Sequence, residues 1–160
     1  MRHPLLAAAA LVLLAACSAN SGEAGAAVAQ AASVHPESGL RVIPLTVTHA
    51  GKKHVFRVEV AATSREQAKG LMFRTAMGPD EGMIFPMDPP RGASFWMRNT
   101  VLPLDILFIG VDGKVSNIAA NAVPYDETPL SSVGLVKAVL ELNAGRAAQL
   151  GIVPGDTVEW

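Results

Sequence analysis

Cysteine is almost absent: Cys17 is the one thiol in 160 residues, so no intrachain disulfide can staple the fold. Charge of either sign is scarce as well. Lys and Arg number 13 against 14 Asp and Glu, which leaves a net charge of −1 and a pI of about 6.4. Such a chain lacks the basic footprint needed to track a phosphate backbone, so no nucleic-acid partner is expected. Long apolar runs are missing too. The longest, Leu5–Ala16, would rise about 18 Å as a helix, short of the roughly 30 Å hydrocarbon core of a bilayer. No CxxC, HxH or HExxH spacing occurs, and no G-x-S-x-G elbow, P-loop or G-x-G-x-x-G fingerprint. No cofactor, no metal centre and no motif-borne catalytic residue is therefore expected.

Arg2 and His3 precede the unbroken Leu, Ala and Val run, which ends in Leu14-Ala15-Ala16-Cys17. A short charged segment followed by a short apolar one reads as a signal peptide and not as a membrane span. Small residues before a cysteine resemble the lipobox of bacterial lipoproteins, in which the sulfur takes a diacylglycerol and the cysteine becomes the N-terminus. Residues 1–16 are accordingly expected to be a lipoprotein signal peptide and Cys17 the lipidated residue. The competing readings are a buried structural cysteine and an ordinary secreted protein cleaved at Ala27-Val28-Ala29, which polar and glycine positions separate from the apolar run. Ser18 stands where an Asp would resemble a retention signal, so the expected location is the cell envelope, on the periplasmic face of the outer membrane. Two or more acyl chains suffice for stable anchoring. Residues 17–40, mostly Ala, Ser, Gly and Gln, bury too little apolar surface to offset their ordering entropy. They read as the acylated N-terminus and a flexible tether, with His35 solvated.

Half the residues are apolar, enough for a core, and 14 Gly with 11 Pro predict many turns. A single β-rich domain is expected over 41–160. RVIPLTVTHA and HVFRVEV alternate with a period of two, and Gly51-Lys52-Lys53 between them predicts a hairpin. Pro44 marks the first of these as an edge or bulged strand. Thr63-Ser64-Arg65-Glu66 predicts a capping box opening a short helix that Gly70 closes. GMIFPM, ASFWMRN and LDILFIG follow as strands, and Asp112-Gly113 turns into VSNIAANA. LVKAVLEL reads as a strand with a helical alternative. Asn143 is expected to cap a second short helix ending at Gly151, before a last strand, TVEW. The expected fold is mainly β: a compact β-sandwich or partly open barrel of seven or eight short strands with two short helices.

Two clusters could carry chemistry. Met72, Met77, Met83, Met87 and Met97 fall close together among Phe73, Phe85, Phe95 and Trp96. Thioethers are soft ligands for Cu(I), but methionine also fills core gaps and packs on aromatics, which is the favoured reading here. Asp105 lies in an aliphatic run, where an ionised carboxylate needs a partner: Arg74, Arg98 or the Asn99–Pro103 turn. It could cap that turn or form the polar floor of an apolar groove with Trp96 and Met97. His49 and His54 flank the first hairpin and read as surface turn residues.

GLMFR (70–74), DEGMIFPM (80–87), SFWMRNTVLPLDILFI (94–109), DGKVSNI (112–118), VLELNAG (139–145) and GIVPGDTVEW (151–160) together resemble the bacterial and archaeal family called domain of unknown function 192. The resemblance implies a compact, mostly β domain, often exported, and supplies no catalytic residue. The site candidates from its motifs are Arg74, Trp96, Met97, Asn99, Thr100, Asp105, Glu141 and Asn143. A binding or interaction module is the favoured function, its partner an unidentified small molecule, glycan or protein beside the membrane that the lipid engages. The alternatives are a hydrolase using Asp105 and Glu141 as acid and base, or a methionine soft-metal site.

Overall fold

The computed structural model describes residues 33–160. The expected signal peptide and the Cys17 lipobox lie outside them. Ten strands and two short helices follow in the order β1 (Ser33–Val34), β2 (Arg41–His49), β3 (Lys52–Val60), α1 (Ser64–Lys69), β4 (Glu81–Arg91), β5 (Ser94–Phe95), β6 (Leu104–Gly110), β7 (Val115–Ala122), β8 (Leu130–Ser131), β9 (Val136–Asn143), α2 (Arg146–Leu150) and β10 (Thr157–Glu159). The fold is mainly β. Eight strands form one mixed sheet in the order β1-β2-β3-β4-β9-β6-β7 with β10 on β2, while β5 and β8 pair separately. β10 also reaches the start of β7: the Val115 amide donates to Asp156 O at 2.8 Å and the Val158 amide to Gly113 O at 2.8 Å. The two ends of the sheet thus approach each other without closing into a barrel.

Period-two alternation sends each strand's apolar residues to both faces, because both are covered. One face packs Leu45, Val47, Phe56, Val58, Ile84, Leu107, Leu140 and Leu142 with Val158 and α2's Ala147. The other packs Met83, Phe85, Ile106, Phe108 and Val139 under Leu71, Ala93 and Met97 from the connecting loops. LVKAVLEL is strand and not helix, and it lies centrally between β4 and β6. ASFWMRN, expected as a strand, pairs only at Ser94 and Phe95. Gly82 lets β4 and β9 meet, since a Cβ there would lie 2.5 Å from Glu141 O.

Pro44 lies opposite Arg57 in the β2–β3 ladder, and the Arg57 amide donates away from β2, to Asp80 O at 2.8 Å. Pro44 therefore points its nitrogen outward, where it falls between β1, paired through Val42, and β10, paired from Thr46. The strand tolerates proline there because no ladder bond needs its missing N–H.

The last part of the expected tether is packed on the domain. Ser33 and Val34 pair with β2, and the Ser38 hydroxyl donates to Glu59. His35 is not free in solvent; its Nε2 lies 3.7 Å from Glu59 Oε1. The helix signals divide. Thr63 Oγ1 accepts the Glu66 amide at 3.3 Å and Glu66 Oε2 accepts the Thr63 amide at 2.8 Å, which completes the capping box of α1. Asn143 does not cap α2: the capping position is Gly145, with φ 77° and no side-chain bond of its own. Asp105 supplies the acceptor instead.

Candidate functional site

Asp105 is fully buried, and its partners are backbone amides. Oδ1 accepts from Asn121 N at 2.9 Å and Gly145 N at 3.0 Å, and Oδ2 accepts from Ala147 N at 2.9 Å. Neither Arg74 nor Arg98 reaches it, and it does not cap the Asn99–Pro103 turn. The carboxylate joins β6 to the bend in β7 at Asn121 (φ 54°) and to the first turn of α2. With both oxygens engaged in the fold, Asp105 is an organising residue and no ligand floor.

Arg74 has a different partner from those expected. It grips Glu59 bidentately, at 2.9 Å to Oε1 and 3.1 Å to Oε2, and both side chains are buried. Glu37 adds a contact at 3.3 Å. Asn143 Nδ2 donates to the carbonyls of Met77 and Gly78 at 3.2 and 2.8 Å and so pins the loop before β4. Asn99 holds φ 54°, a left-handed conformation that Asn tolerates, and its carbonyl accepts the Phe73 amide at 2.9 Å. Met97 is core. Met83 and Met97 are fully buried and Met87 nearly so, so the methionines chiefly pack the second core. His54 is buried on the inward face of β3 and is no surface turn residue, while His49 Nδ1 lies 3.1 Å from Asp156.

Glu141 remains. Its cross-strand neighbours are Met83 on β4 and Ile106 on β6, and Val139 stands two residues before it on the same face. Asp105 pairs with Leu142, so the two carboxylates project from opposite faces of the sheet and cannot act on one bond. Glu141 is 5% exposed, and among the described residues no group donates a hydrogen bond to its carboxyl. Burial without a compensating partner pushes its pKa up to about 8. Near neutral pH it is mostly a protonated acid, able both to donate and to accept.

This carboxyl lines a cavity of about 370 Å³ between α1 and the Arg91–Trp96 turn. Leu71, Met72, Phe85, Met87 and Phe95 supply apolar wall, and Trp96 stands beside them 48% exposed. Phe85 and Phe95 meet edge to face at 5.0 Å, and Arg98 lies 5.6 Å over the Trp96 ring. Thr100, buried, also borders the cavity, its hydroxyl donating to Arg98 O at 3.2 Å. Lys69 and Arg91 are exposed at the boundary, with Arg91 donating to Gln67 Oε1 at 3.3 Å. Of the motif candidates, then, Trp96, Thr100 and Glu141 converge, while Arg74, Met97, Asn99, Asp105 and Asn143 hold the surroundings in place. Gln67, Lys69 and Arg91 join the cavity without having been singled out in the sequence, and Phe85 and Phe95 enter from the methionine cluster. A second cavity, of about 360 Å³ and walled by Ser38, Thr63 and Arg74, has its buried cation already paired with Glu59.

The Glu141 acid has a measurable signature. Its folded-state pKa is raised, so its contribution to stability is full below the ordinary value of 4.5 and is lost as pH climbs through about 8. The slope reaches about 1.4 kcal/mol per pH unit. Glu141→Gln is expected to flatten this dependence and raise Tm at pH 8 relative to wild type. Tm measured from pH 5 to 9 decides: a variant curve parallel to wild type would assign the dependence to another group.

The fold and site define a class: a small curled-sheet domain with a cavity of mixed polar and aromatic lining, one wall a buried acid, on one face. The family model DUF192 ("Uncharacterized ACR") matches residues 45–160, and the chain belongs to that family. It is similar to the crystal structure of a protein of unknown function from Novosphingobium aromaticivorans DSM 12444 at 64% identity and TM-score 0.80, covering 82% of this chain and 96% of that one. It is also similar to a protein from Sinorhizobium meliloti 1021 described as a candidate transcription regulator, at 42% identity and TM-score 0.73, covering 75% and 94%. No curated protein matches the chain.

Proposed function

We propose that this protein is a lipid-anchored binding module of the cell envelope, tethered through Cys17 and holding a small molecule in the Glu141 cavity. One observation carries the binding half. The Glu141 carboxyl stands among Met83, Ile106 and Val139 and receives no hydrogen bond from the described residues, so its hydrogen-bonding capacity is left to whatever occupies the cavity. It opens on a cavity large enough for a ligand and beside a half-exposed tryptophan, where aromatic and thioether walls alternate with several polar groups, Gln67, Ser94, Thr100 and the boundary cations. The anchoring half is supported by the run Leu5–Ala16 ending at Cys17.

Each half has its own test. A thermal-shift screen of neutral, anionic and cationic small molecules is expected to find ligands that stabilise wild type and lose their effect on Trp96→Ala. A screen in which every stabilising compound acts equally on that variant would move binding away from this cavity. Cys17→Ser is expected to release the protein from the membrane fraction and to block processing after Ala16. Unchanged fractionation would remove the lipid anchor from the proposal.

A further inference from the structure

We infer that the cavity takes a primary ammonium ion carried on an apolar stem whose far end is anionic, a ligand of the ω-amino acid type. This rests on the binding reading above and adds the chemical class. The argument is the order of the chemistry along the cavity. Glu141 is 95% buried, counting from its 5% exposure, and belongs to the central strand β9, so it forms the inner wall. No cation among the described residues pairs with it: Arg74 is taken by Glu59, and Arg98 lies over Trp96. The space next to it is walled by Phe85, Phe95, Met72 and Met87, aromatic and thioether groups that accept both alkyl chains and cations. The outer boundary carries two exposed cations, Lys69 at the end of α1 and Arg91 at the end of β4.

A ligand matched to this order places its cation inside and its anion outside. A simple fatty acid serves one end only: its carboxylate either accepts from the Glu141 acid and leaves Lys69 and Arg91 without an anion, or pairs with those cations and leaves the acid without a partner. A dication would meet Lys69 and Arg91. The binding step balances as a proton exchange. The Glu141 carboxylic acid gives up its proton to solvent, and the resulting carboxylate accepts hydrogen bonds from the incoming ammonium. Near neutral pH, binding therefore releases close to one proton, because the acid is protonated before the ligand arrives.

Isothermal titration of the full chain with three probes of equal stem length tests this: 6-aminohexanoate, hexylamine and hexanoate. The expected order is 6-aminohexanoate tightest, hexylamine weaker, and hexanoate weaker than 6-aminohexanoate by about tenfold or more, one charge-assisted hydrogen bond's worth. The heat of 6-aminohexanoate binding at pH 7 should vary with buffer ionisation enthalpy as release of one proton requires. Glu141→Gln should fold cooperatively and lose both the affinity and the proton release. Arg91→Ala should weaken 6-aminohexanoate several-fold and leave hexylamine unchanged. Hexanoate binding as tightly as 6-aminohexanoate, or amine binding that survives Glu141→Gln, overturns the inference. If none of the three probes binds while a neutral compound stabilises wild type and not Trp96→Ala, the ammonium class is wrong and the cavity reading stands. If nothing binds in a Trp96-dependent way, both fall.

Discussion

Asp105→Ala is expected to destabilise the domain by about 3 kcal/mol: the buried Ala147 amide loses its acceptor at a cost of about 1–3 kcal/mol, and the part-buried Asn121 and Gly145 amides each lose less. Three amides depend on this one carboxylate: Asn121, Gly145 and Ala147. They belong to different parts of the chain, so the loss loosens β7 and α2 together. Asp105→Asn is the sharper experiment. Asn can present an oxygen to Asn121 and Gly145, but its amide nitrogen then faces the Ala147 N–H, donor against donor. A cost of about 2 kcal/mol is expected, the loss of one charged hydrogen bond with its donor stranded. Were Asp105 simply the cap of an exposed turn, Asn would be almost neutral. Urea unfolding at constant m-value reads the difference, and an Asn variant as stable as wild type would mean that water replaces the carboxylate at Ala147.

Breaking the Arg74–Glu59 pair from one side should have the second large effect. Arg74→Ala leaves Glu59 buried with only Ser38 and His35 near it, and the expected loss is about 3–5 kcal/mol, the cost of uncovering a buried charge. The double change Arg74→Met with Glu59→Leu removes both charges and should recover most of that loss. A double-mutant cycle measures the coupling directly. Deleting residues 33–39 takes away the Ser38 and Glu37 contacts and should itself lower stability. A double variant no more stable than Arg74→Ala would show that the site needs its charges for packing geometry and not for mutual neutralisation.

Local signals were legible in the sequence and remote partners were not. The period of two in RVIPLTVTHA and HVFRVEV, the Thr63–Glu66 capping box and the Asp112-Gly113 turn each depend on neighbours within a few residues, and each has its expected form. ASFWMRN alternates like a strand because Phe95 and Trp96 border a cavity while Met97 enters the core, so side-chain destination and ladder pairing come apart there. The same rule, that a carboxylate in an apolar strand needs a partner, applied equally to Asp105 and Glu141. What separates them is backbone from 16, 40 and 42 residues away, which reaches Asp105 and not Glu141. No pattern in sequence marks which of two such acids will find its donors. Glu59 is the same case in reverse: alternation puts it with Arg57 on the face opposite Phe56 and Val58, and the fold lays Arg74 and residues 35–38 over it.

The seam at Pro44 has a consequence for how molecules of this protein meet one another. The outward-facing amides of β2 belong to alternate residues, Val42, Thr46 and Thr48, with Pro44 among them; β1 covers the first and β10 the last two. A foreign strand arriving at the uncovered stretch finds no N–H to recruit, so the gap cannot seed edge-to-edge stacking. That protection depends on a two-residue strand, Ser33–Val34, staying in place. Cleavage of the chain just before Leu40 would bare Val42 beside the proline and turn a guarded margin into an adhesive one. Light scattering of such a trimmed protein, compared with the intact chain at equal concentration, should report self-association before any loss of β structure.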